Sequence, residues 1–251
     1  KQQLVNCYRN QNEFEKLQKR YNATVYVAKT SMEAYHRLFP NLITTNHILY
    51  NVVEADRILE LSNEEETEII KNDQYLNLIS VGRMVPQKAF DRLIRIMHKC
   101  VNEEKKSVKL FLLGIGPLEQ ELKDLVKKYK LENNIYFLGY NTNPYKYVKN
   151  ADLFVCSSLH EGFSTAVTES LIVGTPVITT ECSGMKELLG EHQKYGIITN
   201  NDENDLYKSL IDLINNPLKI DDLKGKAIQR GKMFKVDERI SKIESFFDEL
   251  I

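Results

Sequence analysis

The sequence has little cysteine, no excess of charge and no long apolar run, and each of these absences excludes a class of protein. The four cysteines in 251 residues show no CxxC or Cys/His ligand spacing, which argues against a zinc site or disulfide scaffold. The formal charge of −1 gives no global field that would attract nucleic acid. No apolar run approaches the roughly 20 residues needed to span a bilayer. The cysteines are Cys7, Cys100, Cys156 and Cys182.

The beginning of the chain also lacks two features. Lys1 stands where a complete chain would have methionine, and KQQLVNCYRN lacks the charged and then apolar pattern of a signal peptide. Scattered cysteines, with Cys100 and Cys156 in apolar surroundings, fit a reducing compartment. We therefore expect a truncated cytoplasmic protein, with the inner face of the membrane as the alternative location.

From about residue 77 the sequence alternates short β-rich runs with helical patterns. The run NLISVG is typical of a buried strand, and the helix after it places Phe90, Leu93, Ile94 and Met97 on one face. Such alternation predicts an α/β fold with a Rossmann-like parallel sheet covered by helices on both faces, and ligands at the carboxyl ends of the strands. The predicted strands are 77–82, 109–114, 134–139, 152–157, 176–180 and 195–199.

The first 76 residues predict only part of a second core. Two strands, at residues 24–30 and 47–51, flank a helix from about 31 to 39, and the hydrophilic stretch LSNEEETEIIKND follows. An amphipathic helix ends the chain, and we expect it to pack on the first domain, with contact to a membrane surface as the alternative. We predict a remnant of an N-terminal domain at 1–52, a linker at 53–76, the main domain at 77–235 and the returning helix at 236–251.

Three groups of residues fall at the predicted strand ends. Arg83 and Lys88 lie five residues apart and could bind a diphosphate together, although exposed basic loop residues often only contact solvent. Gly114 and Gly116 could allow close approach of a ligand or could simply form a tight turn. The pattern GxGxxG is absent, so a nicotinamide-type site is not supported.

The third group is SSLHEGFSTAVTESLIVGTPVITT, which contains Glu161 and Glu169 separated by seven residues. A helix that begins near Ser164 would direct free N–H groups towards the strand ends, which is an anion-binding arrangement. One carboxylate could then reach a sugar and the other a ribose. As spacing alone, however, two glutamates are commonplace.

In their order and spacing, VGRMVPQKAFDRLI, FLLGIGP, YFLGY and EGFSTAVTESLIVGTPVITTECSGMKELL resemble the motifs of glycosyltransferase family four, which includes bacterial group 1 enzymes of polysaccharide synthesis. The resemblance implies a GT-B fold lacking most of its N-terminal domain. It also implies a retaining, metal-independent enzyme with no cofactor, whose donor is a UDP- or GDP-linked sugar. The acceptor would be a saccharide or a lipid-linked molecule bound by the missing domain.

The resemblance also implies roles for individual residues. Arg83 and Lys88 would hold the donor diphosphate, Glu161 would contact the donor sugar, and Glu169 would accept hydrogen bonds from the ribose. Gly114 with Gly139 and Tyr140 would line the base pocket, and GMKELL would form a donor-side loop of undefined role. Backbone groups would bind the sugar and phosphates at Gly162, Phe163, Ser164, Thr165 and Ala166.

The sequence departs from the family pattern at two positions. Ala89 replaces the glycine that usually follows the loop lysine, and Ser164 stands where glycine is frequent. Three other functions stay open at this point: a nucleotide-sugar epimerase, a non-catalytic GT-B subunit that binds a partner or glycan, and a fragment that binds donor without catalysis.

Overall fold

The computed structural model describes residues 20–40, 44–64, 74–234 and 236–248. The first α/β unit consists of β1 (Ala23–Tyr26), α1 (Lys29–Leu38) and β2 (Thr45–Ile48), followed by helix α2 (Ala55–Leu61). The strands of the main unit are β3 (Leu76–Val81), β4 (Val108–Leu113), β5 (Ile135–Gly139), β6 (Leu153–Cys156), β7 (Val177–Thr180) and β8 (Ile197–Thr199). Its helices are α3 (Phe90–His98), α4 (Glu119–Lys128), α5 (Tyr145–Asn150), α6 (Thr165–Ile172), α7 (Met185–Leu189), α8 (Glu203–Asn215) and α9 (Pro217–Gly231), and α10 (Val236–Asp248) follows.

The main sheet is parallel throughout, in the order β5–β4–β3–β6–β7–β8. Successive strand side chains point to opposite faces. Leu78 accordingly packs in one core cluster with residues of α3, α4 and α8, whereas Ile79 packs in another with residues of α5, α6 and α7. A sheet buried on both faces explains the continuous apolar runs in the sequence. The α/β prediction is confirmed.

The strand order reverses between β3 and β6. The chain proceeds from β3 outward to β4 and β5, and then crosses back to place β6 on the other side of β3. Two neighbouring strands then send their loops in opposite directions, which opens a crevice at the carboxyl edge of the sheet. The loops that follow β3 and β6 are the ones that carry Lys88 and Glu161.

The predicted strand bounds agree with the structure to within about two residues at each end. The final predicted strand, 195–199, shortens to Ile197–Thr199 because the Tyr195 N–H donates to the carbonyl of Leu189 instead of a strand partner. Helix α4 begins at Glu119, after a turn that contains Pro117, rather than directly at the proline.

The first unit departs more from the prediction. Its strands pair in parallel, with Ala23 opposite Thr45, but helix α1 begins at Lys29, within the segment predicted as strand. The reason is tertiary, because the Lys29 and Thr30 N–H groups bond to the carboxylate of Glu187. Helix α2 occupies part of the predicted linker, and its Ile58 packs into the main core. Residues 1–19 and most of LSNEEETEIIKND lie outside the described residues.

Helix α10 contacts the first unit. The Phe246 ring lies 4.5 Å from the ring of His47, and Arg239 donates a hydrogen bond to the Asn51 carbonyl. Ile240 and Phe247 remain 40% and 56% exposed, so these contacts cover only part of the predicted apolar stripe. Residues 249–251 lie outside the described ranges, and the division of the chain into domains stays a prediction.

The cysteine prediction holds for the described positions. Cys100 and Cys156 are buried core residues, and both are free thiols, as is the half-buried Cys182. Burial raises the pKa of the Cys100 thiol to about 12. Cys7 lies outside the described residues. Of the helices that the structure describes, none has the length and apolarity needed to cross a membrane.

Candidate functional site

Two loops meet at the crevice beside β3 and β6. The β3–α3 loop (residues 82–89) and the β6–α6 loop (residues 157–164) are joined by hydrogen bonds. The Leu159 N–H donates to the Gln87 carbonyl at 2.7 Å, and the Ser157 hydroxyl donates to the Lys88 carbonyl at 2.9 Å. These hydrogen bonds fix the position of the two loops relative to each other.

Lys88 and Glu161 form an ion pair across these loops. The Lys88 ammonium donates to Glu161 Oε1 at 2.7 Å, and the Ser158 hydroxyl donates to the same oxygen at 2.6 Å. The two side chains are only 24% and 12% exposed. A charge-assisted pair in this partly desolvated position is stronger than a surface pair.

The backbone after Lys88 is held in a conformation that favours glycine. Ala89 has φ 48° and ψ 45°, in the left-handed region, and it is buried. This conformation costs an L-residue about 1–2 kcal/mol. Ala89 therefore occupies a backbone conformation that glycine adopts more readily, and the Ser157 hydroxyl lies 3.2 Å from the Ala89 carbonyl.

Glycines allow the β4–α4 loop to approach the β3–α3 loop. A Cβ at Gly114, where φ is 135°, would lie 2.1 Å from the Gly82 carbonyl oxygen. A Cβ at Gly116 would lie 2.4 Å from the Met84 carbonyl oxygen. No side chain fits at either position, so the close approach explains both glycines. A tight turn alone, the alternative explanation from the sequence, does not account for this contact between the two loops.

An open cleft of about 970 Å³ lies next to this contact. Arg83 lines it on one side, and the exposed ring of Tyr140, 71% accessible, lies on the β5 side. Gly139, with φ 69°, accepts a hydrogen bond from the Gly114 N–H at 2.7 Å and so joins the two walls. The full lining is Val81, Gly82, Arg83, Leu113, Gly114, Ile115, Gly116, Pro117, Glu119, Tyr140, Asn141, Thr142, Pro144 and Tyr145.

Glu169 lies beside the cleft on helix α6, without forming part of its lining. Burial raises the pKa of the Glu169 carboxyl to about 7, and a hydrogen bond with Tyr145 acts in the opposite direction. Tyr145 does line the cleft, and the pKa of its hydroxyl is raised by burial and then by the charge of Glu169. A carboxyl group that titrates near neutrality at the edge of a cleft is typical of a ligand site.

Helix α6 begins where the sequence predicted. Ser164 caps it, because the Ser164 hydroxyl accepts a hydrogen bond from the Val167 N–H at 3.4 Å. Thr165 and Ala166 form the first turn, while Gly162 is exposed. Phe163 is buried and does not line the cleft, and its ring lies 5.3 Å from the ring of Tyr50, in the segment after the first unit.

The structure thus brings the sequence-predicted residues to one edge of the sheet, but in two groups. Gly114, Arg83 and Tyr140 face the cleft, whereas Lys88 and Glu161 form the pair beside Gly82. Their functional roles stay predictions. Sequence reasoning missed Ser158, which donates to Glu161 three residues later, and Tyr145, which lines the cleft and interacts with Glu169. Among the described residues, no group of three or more His, Cys, Asp or Glu could hold a metal ion.

Comparison with known proteins gives a consistent result. The chain is 37% identical over 177 residues to an uncharacterised glycosyltransferase of Methanocaldococcus jannaschii, covering 64% of this chain and 43% of the relative. It is 32% identical over 188 residues to N-acetylgalactosamine-N,N'-diacetylbacillosaminyl-diphospho-undecaprenol 4-alpha-N-acetylgalactosaminyltransferase of Campylobacter jejuni, covering 74% of this chain and 49% of the relative. The chain thus spans about half the length of these curated relatives.

The fold is shared with solved structures. Anabaena HepE in complex with UDP and glucose superposes with a TM-score of 0.79 at 19% identity, covering 96% of this chain and 67% of that one. The GT-B prediction is confirmed by such neighbours. The sequence model described as "Glycosyl transferases group 1" matches residues 62–232, which is more than half of the chain. This protein belongs to the group 1 glycosyl transferases.

Proposed function

We propose that this chain carries the donor site of an enzyme that transfers a sugar from a nucleoside diphosphate sugar to an acceptor. The observation that carries the proposal is the Lys88–Glu161 pair at the strand-order reversal, next to a cleft of about 970 Å³ that Arg83 lines. A cleft of this size can hold a nucleotide. Cations beside it favour a ligand with a diphosphate.

The proposed chemistry depends on charge. Cleavage of the anomeric bond leaves negative charge on the diphosphate, and Arg83 with Lys88 would stabilise that charge. Groups that stabilise the charge developing in a transition state often contribute the largest single part of a rate enhancement. Glu161, held by Lys88 and Ser158, would then contact the sugar. Glu169 would accept hydrogen bonds from the ribose hydroxyls.

We propose UDP as the nucleotide, since the solved Anabaena neighbour is in complex with UDP and glucose. The base would lie against Gly114 and the Gly139–Tyr140 segment. The name of the Campylobacter jejuni relative specifies an undecaprenol-diphospho-linked acceptor, which supports a lipid-linked or saccharide acceptor here. Metal independence and retention of configuration are part of the proposal. Arg83 and Lys88 would supply the positive charge that a divalent ion would otherwise supply.

The test is a calorimetric titration of the chain with UDP and with GDP, first in EDTA and then with Mg²⁺. We expect UDP to bind in EDTA, with an affinity that Mg²⁺ changes by less than about threefold, and GDP to bind at least tenfold more weakly. Absence of binding by the folded chain would contradict the donor-site proposal and favour a non-catalytic partner subunit. For any glycoside formed, the anomeric configuration measured by NMR decides whether the reaction is retaining.

Binding of a nucleotide sugar should depend on pH through Glu169. The pKa of the Glu169 carboxyl is raised to about 7, so in the free protein this group is half protonated near pH 7. Ribose hydroxyls bind the charged form better, and binding therefore releases a proton. From pH 6 to pH 8 the affinity for UDP-glucose should rise about tenfold, which follows from a single titration centred near 7.

The matched control for this pH dependence is Glu169→Gln, whose UDP-glucose affinity should be the same at pH 6 and pH 8. UDP-glucose is the appropriate probe because its diphosphate is esterified at both ends and lacks the phosphate titration near pH 6.

The free energy of unfolding should change with pH in the opposite sense to the affinity, and should fall as the pH rises through 7. A raised pKa makes the ionised carboxylate unfavourable in the folded state above pH 7, so Glu169→Gln should stabilise the free protein at pH 8 more than at pH 5. If the UDP-glucose affinity of the wild type were the same at pH 6 and pH 8, Glu169 would not bind the ribose as proposed.

A further inference from the structure

Glu187, in the GMKELL segment, is bonded almost entirely to a different part of the chain. Its Oε2 accepts hydrogen bonds from the Lys29 N–H at 3.0 Å and from the Tyr50 hydroxyl at 2.8 Å. Its Oε1 accepts from the Thr30 N–H at 3.1 Å and from the Thr30 hydroxyl at 3.2 Å. All four donors belong to the first α/β unit and the segment that follows it, more than 130 residues earlier in the sequence.

Neighbouring groups reinforce this junction. The Ser183 hydroxyl lies 2.9 Å from the Thr30 hydroxyl and 2.8 Å from that of Ser31. The Gly184 N–H donates to the Thr30 hydroxyl at 2.8 Å. Arg230 donates to the Glu187 carbonyl at 2.6 Å, and its side chain is half-buried. The junction is therefore a network in which Glu187 supplies the negative charge.

Among the described residues of the first unit, no side chain caps the start of α1. Ala28 is the N-cap residue of α1, and no side chain of its own caps the helix. The N–H groups of a first helical turn need acceptors, and a negative charge is stabilising there. Serine or aspartate at residue 28 would cap the helix locally. A carboxylate from α7 instead makes the start of α1 depend on the position of the main unit.

The same junction touches the β6–α6 loop, which carries Glu161. The ring of Tyr50, whose hydroxyl bonds to Glu187, lies 5.3 Å from the ring of Phe163. On the other side, a Cβ at Gly184 would lie 2.9 Å from the Gly162 carbonyl oxygen. Burial, and then the hydrogen bond to Glu187, raise the pKa of the Tyr50 hydroxyl to about 12, so it stays a donor. The loop thus contacts the Tyr50 segment on one side and the N-cap of α7 on the other.

We propose that Glu187 is a positioning residue that fixes the first unit against the β6–α6 loop and thereby holds Glu161 in place for the donor sugar; this rests on the proposed function. Glu187 acts through Tyr50 and Phe163. The nucleotide part of the donor depends on the cleft, on Arg83 and on Lys88, whose backbone is held by the Ser157 hydroxyl and not by the partners of Glu187. Loss of Glu187 should therefore affect sugar recognition more than nucleotide recognition.

The experiment compares Glu187→Gln with wild type in two measurements on the full chain. Glutamine would direct an N–H₂ group at the Lys29 or Thr30 N–H and lose that bond. Hydrogen exchange of peptides covering residues 159–166 should become at least tenfold faster. Calorimetry should show UDP affinity within twofold of wild type and UDP-glucose affinity reduced about tenfold. Tyr50→Phe, which keeps the ring and removes one donor, should give the same pattern to a smaller extent.

Glu191→Gln is the matched control, because Glu191 is an exposed carboxylate four residues further along the chain. It should change neither measurement. If exchange in Glu187→Gln rises only at the start of α1, with residues 159–166 unchanged, Glu187 is a remote helix cap and the proposal is wrong. An equal loss of UDP and UDP-glucose affinity would also overturn it. If wild type binds no nucleotide, the donor-site proposal fails, and the exchange measurement still decides whether Glu187 holds the loop.

Discussion

Replacing Lys88 with methionine is expected to weaken UDP binding by about 10- to 100-fold, as the loss of a hydrogen bond to a charged group implies. Methionine keeps most of the aliphatic stem, which packs where a Cβ at Gly82 would lie 3.1 Å from Lys88 Cε. Only the ammonium and its bond to Glu161 are removed. Turnover of the complete enzyme should fall more than UDP affinity, by about 100- to 1000-fold, because the negative charge on the diphosphate develops in the transition state.

Part of the Lys88 effect will be structural, and a control must separate it. Glu161 is only 12% exposed and would lose its cationic partner, which should reduce the free energy of unfolding by about 1.5–3 kcal/mol. Lys226→Met removes a lysine–carboxylate pair of similar length, 2.6 Å to Asp222, from the exposed surface of α9. It should change stability by less than about 1 kcal/mol and leave UDP affinity unchanged. Equal UDP affinity in both variants would contradict the assignment of Lys88 to the diphosphate.

The parallel sheet could be predicted from sequence because each buried strand is an unbroken apolar run. LFVC and VITT, for example, are typical of the interior of a sheet covered on both faces. The position of the candidate site residues could be predicted for the same reason, because the carboxyl ends of parallel strands lie at one edge of the sheet. The Lys88–Glu161 contact at 2.7 Å shows that two loops 73 residues apart were correctly assigned to that edge.

Apart from Ser158, the parts that escaped prediction depend on contacts between residues distant in sequence. The start of α1 lies at Lys29 because its acceptor is Glu187, 158 residues away. No local pattern around VAKTS indicates that acceptor. Tyr145 similarly resembles an ordinary residue of a short helix, and its relevance arises from the cleft that it lines and from the neighbouring Glu169. Local propensity and periodicity are therefore informative about elements, whereas the residues that support a site are set by packing between those elements.

Replacing Gly114 with alanine should destabilise the fold more than the same replacement at Gly139 or Gly225. The Cβ at Gly114 would lie 2.1 Å from the Gly82 carbonyl oxygen, and φ of 135° is unfavourable for any other residue. Strain and overpacking together should lower the free energy of unfolding by about 3–5 kcal/mol. The β3–α3 loop would have to move away, so UDP binding should be lost along with stability. Urea unfolding and calorimetry measure the two effects.

The variants at Gly139 and Gly225 divide this effect into its causes. A Cβ at Gly139 meets nothing within 4 Å, although φ is 69°, so Gly139→Ala should cost only the backbone strain, about 1–2 kcal/mol. Gly225 is exposed within α9 and also has open space, so Gly225→Ala should stabilise the chain by about 0.5–1 kcal/mol. If Gly114→Ala cost no more than Gly139→Ala, the β3–α3 and β4–α4 loops would not be in close contact. The contact between the backbones of Gly114 and Gly82 would then not determine the shape of the cleft.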